Sequence, residues 1–406
     1  MLGLIWNATD ARDFANIDVI KEIKQFNKSV IATQPAAFKH KTQYMSAGLF
    51  AFLRGTAHLM NADMQKSAGL SFLRKAPRGL VAGDLHIHNF SVFSPTGKSA
   101  TYVIDDLDEA FADAPLSFDV FRLSTSLVIG FGDRLNEQQL KLALKELFTG
   151  YCVRAAHKKT YDWPQTPVSG FIKKFIAKES QTTQKQFIKK KTIGEADNRF
   201  DYSKHEPVPE NEKKAVEKAM RSYLNKVASA NRVPVSETEI LDISQRFDKG
   251  LSSIGLKRYF VLLRGPGNSW KENHIIEVKI VRNSSVGASN TDKQMKDTLE
   301  ALTRAHFSRD PYLGTVSIGG KAFLVRQNYP WSETIENTTI SDPEKVAQLA
   351  GVLGFITADF HAQSGQGAAM KSWLEKSGKG MIPWVFAYAR QLKTDWKVFK
   401  NANFTD

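Results

Sequence analysis

The chain is predicted to fold as an α+β protein in two lobes, and three observations predict it. Apolar positions recur at helical spacing through much of the first 150 residues and again after residue 343, but alternate from about residue 238 onward. Two alternating runs, Thr315–Ile318 and Lys321–Gln327, flank Gly319-Gly320, a strong hairpin signal. The other strand-like runs are joined by turns and a Gly/Ser loop, so the sheet should be antiparallel. A chain of 406 residues can fill two lobes.

Residues 1–80 read as mostly helical, with the apolar run Leu49-Phe50-Ala51-Phe52-Leu53 ending in Arg54-Gly55. The strand Gly79–Ala82 leads into a polar loop holding Asp84. Ser94-Pro95-Thr96-Gly97 is a turn signature, and Thr101–Ile104 a short strand behind it. Ala114-Pro115-Leu116-Ser117 opens a helix through Phe118–Ile129, and Glu137–Tyr151 forms the next. Residues 155–235 are Lys-rich, carry Pro207 and Pro209, and read as a long insertion with one amphipathic helix near Glu210–Val227.

An antiparallel meander follows: Leu241–Phe247, a loop over Lys249–Gly255, then Tyr259–Leu263 and His274–Val281. A helix is expected over Thr291–Phe307. Asp342 can cap a helix that has Pro343 in its first turn. That helix puts Val346, Leu349, Ala350, Leu353, Ile356 and Phe360 on one face and ends at His361-Ala362-Gln363-Ser364-Gly365. Residues 371–406 should be helical. The predicted units are 1–237, a sheet unit over 238–335, and C-terminal helices over 336–406 that complete the first unit.

No apolar run approaches the roughly 20 residues of a membrane span. The N-terminus lacks a basic start and does not read as a signal peptide. Cys152 is the single cysteine, so no intrachain disulfide can form, which suits a cytoplasmic setting. There is no H-E-x-x-H or C-x-x-C metal motif. The formal net charge of +14 predicts attraction to something anionic. Much of the excess lies in Lys173, Lys174, Lys178, Lys185, Lys189, Lys190 and Lys191, which read either as a solvated face or as a docking surface for an anionic partner. No nucleic-acid module is recognisable.

The chemistry concentrates in Gly83–Phe90 and Val103–Asp108. Asp84 and Asn89 sit on one short loop, and an apolar strand then delivers Asp106. ATP-dependent phosphoryl transfer needs this set: a carboxylate near the attacking hydroxyl, and an amide and a second carboxylate to hold Mg²⁺ on the phosphates. Asp and Asn are also common in loops because they hydrogen-bond their own backbone. Far along the chain, Lys279 lies inside an apolar strand, where a Lys needs anionic partners such as phosphate oxygens and a helix Glu, here Glu300. Alternation puts Glu277, Lys279 and Val281 on one face, which equally suits a solvated face. Arg54 can clamp a phosphate or pair with a carboxylate near the loop. His86 and His88 read as packing or hydrogen-bonding residues, since no third ligand accompanies them.

Gly83-Asp84-Leu85-His86-Ile87-His88-Asn89 resembles the H-G-D-L-H-x-x-N loop of aminoglycoside phosphotransferases. Val103–Ala110 is similar to their I-D-W-x-x-A strand, and Asp119 falls where they carry a helix Asp that braces the loop. Glu277-Val278-Lys279-Ile280 resembles the kinase V-A-I-K strand. The order is inverted, because the sheet pattern follows the catalytic loop. Moving residues 238–365 ahead of 78–150 restores the kinase order, which implies a circularly permuted, protein-kinase-like fold. The whole pattern, from Phe52-Leu53-Arg54-Gly55 to His361-Ala362-Gln363-Ser364-Gly365, resembles the bacterial DUF2252 family.

The resemblance implies ATP and Mg²⁺ as cofactors and a hydroxyl acceptor, a small molecule or a protein. Asp84 would be catalytic. Asn89 and Asp106 would hold the metal, with Asp108 a second carboxylate ligand. Lys279, paired with Glu300, would meet the phosphates under a loop containing Gly250, Ser252, Ser253 and Gly255. The hinge would be Val325–Tyr329, with Gln327 at the adenine. A nucleotide-binding pseudokinase scaffold and an AMP transferase on the same fold are the alternatives. Two departures stand out: Ala82 replaces the first His of H-G-D, and the nucleotide loop has only Gly250 and Gly255.

Overall fold

The computed structural model describes residues 14–15, 17–93, 100–156, 168, 170–193, 198–246, 256–281, 284–286, 297–302, 310–402 and 404. It is a mixed α+β chain, and among the described residues its sheets are all antiparallel. The expected turn at Ser94–Gly97, the loop Lys249–Gly255 and most of the helix expected over 291–307 lie outside the described residues.

A six-stranded sheet forms one layer, in the order Gly314–Ile318, Lys321–Asn328, His274–Ile280, Arg258–Leu263, Ile240–Gln245 and Glu206–Pro207. The hairpin at Gly319-Gly320 forms as its composition demands: both glycines have positive φ, +57° and +75°, and Ile318 pairs with Lys321. Valines, isoleucines and aromatics fill the strands on both faces. The helix Glu210–Ser229 covers one face with Val216, Met220, Leu224 and Val227, against Val261, Leu263, Ile276 and Val278. The helix Gln184–Lys191 sets Phe187 and Ile188 against Phe260, Leu262 and Ile275 on the other. Residues expected as an insertion with one helix therefore also provide a second covering helix and an edge strand.

The other layer is helical. The capped helix Pro343–Ala362 buries Val346, Leu349, Ala350, Leu353, Ile356 and Phe360, with the Asp342 carboxylate accepting from Glu344 N at 2.9 Å. It lies along the helix Glu137–Ala155 so closely that a Cβ on Gly354 would sit 2.0 Å from Leu147 O. Arg154 and Asp359 form a buried ion pair between these two helices, at 2.5 Å. The helix Gly367–Asn401 packs across Ser117–Phe131 and Glu137–Ala155. Among the described residues no helix is long and apolar enough to cross a membrane.

Two short strand pairs position the site. Arg78–Val81 pairs with Phe111–Pro115, and Phe90–Phe93 pairs with Thr101–Ile104. Both the Asp84 loop and the Asp105–Asp108 segment thus emerge from paired strands between the helical layer and the large sheet.

Candidate active site

The Asp84 loop starts with a backbone turn that only glycine tolerates well. Gly83 has φ +80°, and a Cβ there would lie 2.1 Å from Glu109 O. Asp119, on the helix Ser117–Phe131, fixes this turn. Its Oδ2 accepts from Ala82 N at 2.6 Å and its Oδ1 from Gly83 N at 2.9 Å. His361 Nε2 donates to Asp119 Oδ2 at 3.0 Å, and Tyr151 OH donates to His361 Nδ1 at 2.8 Å. The acceptor role of Asp119 assigns the His361 proton to Nε2. Burial pushes the Tyr151 phenol well up, with Asp119 adding to it. Helices from both ends of the chain thus brace one loop.

Asp84 is gripped by Arg122, which is 1% exposed. Arg122 Nε donates to Asp84 Oδ1 at 2.7 Å, Nη2 makes a second bond to the same oxygen, and Nη2 also donates to Leu53 O at 2.8 Å. The carboxylate orientation is therefore set through one oxygen. Asn89 is buried, with Oδ1 accepting from His86 N at 2.6 Å. Its carbonyl accepts from Asp105 N at 2.7 Å, which ties the loop to the strand end carrying Asp106. His88 Nε2 lies 2.9 Å from Asn337 Oδ1. Burial lowers the His86 imidazole well below its usual range, helped by Arg54 and Arg122. Burial also lowers His88, against the pull of Glu336.

Asp106 and Lys279 line one cavity of about 390 Å³, with Arg326, Gln327, Tyr329 and Trp331 among its other walls. Burial, then the neighbouring Asp108, pushes the Asp106 carboxyl up to about 6, with Lys279 opposing and Asp84 adding to the rise. Lys279 Nζ pairs with Asp108 Oδ2. Glu277 is 6% exposed and Lys279 7%, so their face of the strand is not solvated. The helix Gln184–Lys191 covers that side, and Lys191 reaches the cavity while its neighbours Lys185, Lys189 and Lys190 stay exposed. Lys173, Lys174 and Lys178 are exposed as well.

A second network shares this wall. Arg326 Nε donates to Glu277 Oε2 at 2.7 Å, and Arg258 Nε lies 3.2 Å from Oε1. Arg326 Nη1 reaches across to Asp105 O at 2.9 Å. Burial alone would raise Glu277, but Arg326 and Arg258 hold its carboxyl down to about 2. The sheet is thereby tied to the strand end that precedes Asp106.

The structure brings Asp84, Asn89, Asp106, Asp108, Lys279 and Gln327 to one region. Two expectations change. Lys279 takes Asp108 as its carboxylate partner, not Glu300, because the Asp105–Asp108 segment lies directly under the strand; Glu300 is exposed on the helical stretch 297–302. That stretch meets the Phe111–Pro115 strand instead, through Ala112 N and Thr298 Oγ1 at 3.1 Å. The Gln327 amide, expected at adenine, donates to Asp310 Oδ2 at 2.8 Å. Gly250, Ser252, Ser253 and Gly255 lie outside the described residues. The roles of Arg122, Arg326, Arg258 and Asp310 are not visible in the sequence. Glu277 offered a signal, since a buried acid beside Lys279 requires a cation on the next strand.

Among the described residues, no group of three or more His, Cys, Asp or Glu forms a metal cage. The donor set still fits magnesium, which uses one or two carboxylates and completes its shell with phosphates and water. Asp106, crowded by Asp108 and Asp84, is a carboxyl that a divalent cation would relieve.

No curated protein and no solved structure matches this chain. The model of one family does match, over residues 33–402, and so the chain belongs to DUF2252, described as an uncharacterized protein conserved in bacteria.

Proposed function

We propose that the chain is an ATP- and Mg²⁺-dependent phosphotransferase acting on a hydroxyl acceptor, built on a kinase-like fold in permuted order. The observation that carries the reading is the shared cleft: Asp106 and Lys279, far apart in sequence, line one cavity with the strand end at Gln327. The permuted order is supported by the end of the helix Pro343–Ala362, which meets the Asp84 loop through His361–Asp119, and by Ser364 Oγ, which accepts from Leu80 N at 2.8 Å.

In this reading Asp84 orients the acceptor hydroxyl and takes its proton as the oxygen attacks the terminal phosphorus and the bond to ADP breaks. Arg122 keeps the Asp84 carboxylate aimed. Asn89 and Asp106 would hold Mg²⁺, with Asp108 available as a further ligand. The ion would neutralise charge on the phosphates. Lys279 exchanges Asp108 for a phosphate oxygen.

A second reading, a nucleotide-binding scaffold without transfer, is favoured by one observation: Asp84 and Lys279 are each already satisfied by a partner, Arg122 and Asp108. AMP transfer would use the same ligands. Incubating the protein with Mg-ATP and bacterial extract, and weighing the products, separates the three. Gain of phosphate is expected. Gain of AMP, or ATP binding with no product, would replace the reading.

A further inference from the structure

We propose that Arg54 is the centre of an oxyanion subsite beside Asp84, which takes a phosphate or carboxylate carried by the hydroxyl acceptor. This rests on the phosphotransferase reading and names its substrate class. Arg54 lies in the last turn of the helix Leu49–Gly55 and is partly buried. Its Nε is sealed from solvent without a hydrogen-bond partner, and no carboxylate among the described residues pairs with the guanidinium. A half-buried guanidinium lacking an anion is costly to keep. The carbonyl end of its helix offsets part of that cost but leaves Nε unmatched.

The nearby carboxylate is already committed. Asp84 is held by Arg122, and Arg122 Nη2 also bonds Leu53 O, on the residue next to Arg54. Arg122 thus meets the helix end one residue from Arg54, and the Arg54 charge acts on His86 and His88 of the loop. Phe50, one helical turn before Arg54, carries the helix face onto the loop: its ring lies 4.7 Å from the His88 ring and 6.2 Å from the His86 ring. His86 Nδ1 accepts from His88 N at 3.2 Å, so Nε2 carries the proton and is a donor. Arg54 thus supplies a planar fork suited to bidentate oxyanion binding, near the His86 imidazole donor of the Asp84 loop. The excess of positive charge disfavours a polycationic acceptor and favours an anionic one, in line with the net charge of +14.

The test uses the full chain without nucleotide, with inorganic phosphate and acetate as probes at constant ionic strength, read by thermal shift and calorimetry. Wild type and Lys279→Met should both be stabilised by at least one probe, because the subsite is separate from the nucleotide cleft. The responding probe tells phosphate from carboxylate. Arg54→Gln should lose roughly tenfold or more in probe affinity. Its stability without probe should equal or exceed that of wild type, since an uncompensated cation is gone. No response in wild type, or an equal response in Arg54→Gln, overturns the proposal. A fall in probe-free stability in both Arg54→Gln and Arg54→Lys marks a structural guanidinium and overturns it too. Nucleotide takes no part, so failure here leaves the phosphotransferase reading to its own test with Mg-ATP.

Discussion

His361 Nε2 lies 3.0 Å from Asp119 Oδ2, and that carboxylate also holds the amides of Ala82 and Gly83. One buried acid thus gathers a helix end from position 361 and a loop from position 83. Ala82 stands where the resembling motif has its first His, and a distant imidazole braces the same turn from the other side.

Asp119→Ala should therefore be severely destabilising. It strands two loop amides and the His361 N–H, and each unsatisfied buried donor costs about 1–3 kcal/mol. A loss of about 3–5 kcal/mol is expected from urea unfolding at neutral pH. His361→Ala should cost less, because the two amides keep their acceptor. Equal costs for the two variants would show that the carboxylate is not the hub.

Gly83→Ala tests the turn itself. The positive φ alone costs about 1–2 kcal/mol for a residue with a Cβ, and the methyl would also collide with Glu109 O. Gly319→Ala has a similar φ of +57° and nothing within 4 Å of the added Cβ, so it reports the conformational cost alone. Gly83→Ala should lose at least about 2 kcal/mol more than Gly319→Ala by denaturant unfolding. A smaller difference would mean that the Glu109 segment gives way easily.

The helices and the meander were legible because their signals are local. The cap at Asp342, the turn at Gly319-Gly320 and the apolar face from Val346 to Phe360 each follow from neighbours along the chain. What was not legible depends on register and on crossings. Alternation shows that Glu277 and Lys279 share a face, but not that Arg326 lies opposite Glu277 or that the Lys-rich helix covers them both. The Lys-rich segment looked detached because its composition is polar. Phe187 and Ile188 are enough to seat it on the sheet, with Lys185, Lys189 and Lys190 outward and Lys191 at the cavity. Asp84 could be identified as a candidate, but its partner Arg122 is reached only through tertiary packing.

The pairing of Lys279 with Asp108 gives two opposed expectations for Asp108→Asn. Removing the competing carboxylate should let Lys279 meet phosphates more readily, so ATP affinity without magnesium should rise several-fold. If Asp108 is also a metal ligand, the gain in affinity on adding magnesium should shrink. Isothermal titration with and without Mg²⁺ checks both. Unchanged affinity under both conditions would remove Asp108, and with it Lys279, from the nucleotide site.

The last prediction concerns acid. Burial pushes the Asp310 carboxyl up to about 6, against the pull of the Gln327 and Tyr312 amides and of Arg326 and Arg232. Its folded pKa lies above the unfolded value, so the native state binds more protons between about pH 4 and 6. Its contribution is fully present below about pH 4 and is lost as pH rises through about 6. A shift of about two units corresponds to about 3 kcal/mol. Asp310→Asn stays neutral throughout, so the stability of wild type relative to this variant should fall by about that amount across the window and then level off. Urea unfolding of both proteins in steps from about pH 4 to 7.5 measures the difference directly. Because Asp310 holds the Gln327 amide at the cleft wall, the same ionisation places a negative charge behind the candidate nucleotide site. A stability difference that stays flat, or that rises with pH, would show that Asp310 is ionised throughout and that its two amides outweigh its burial.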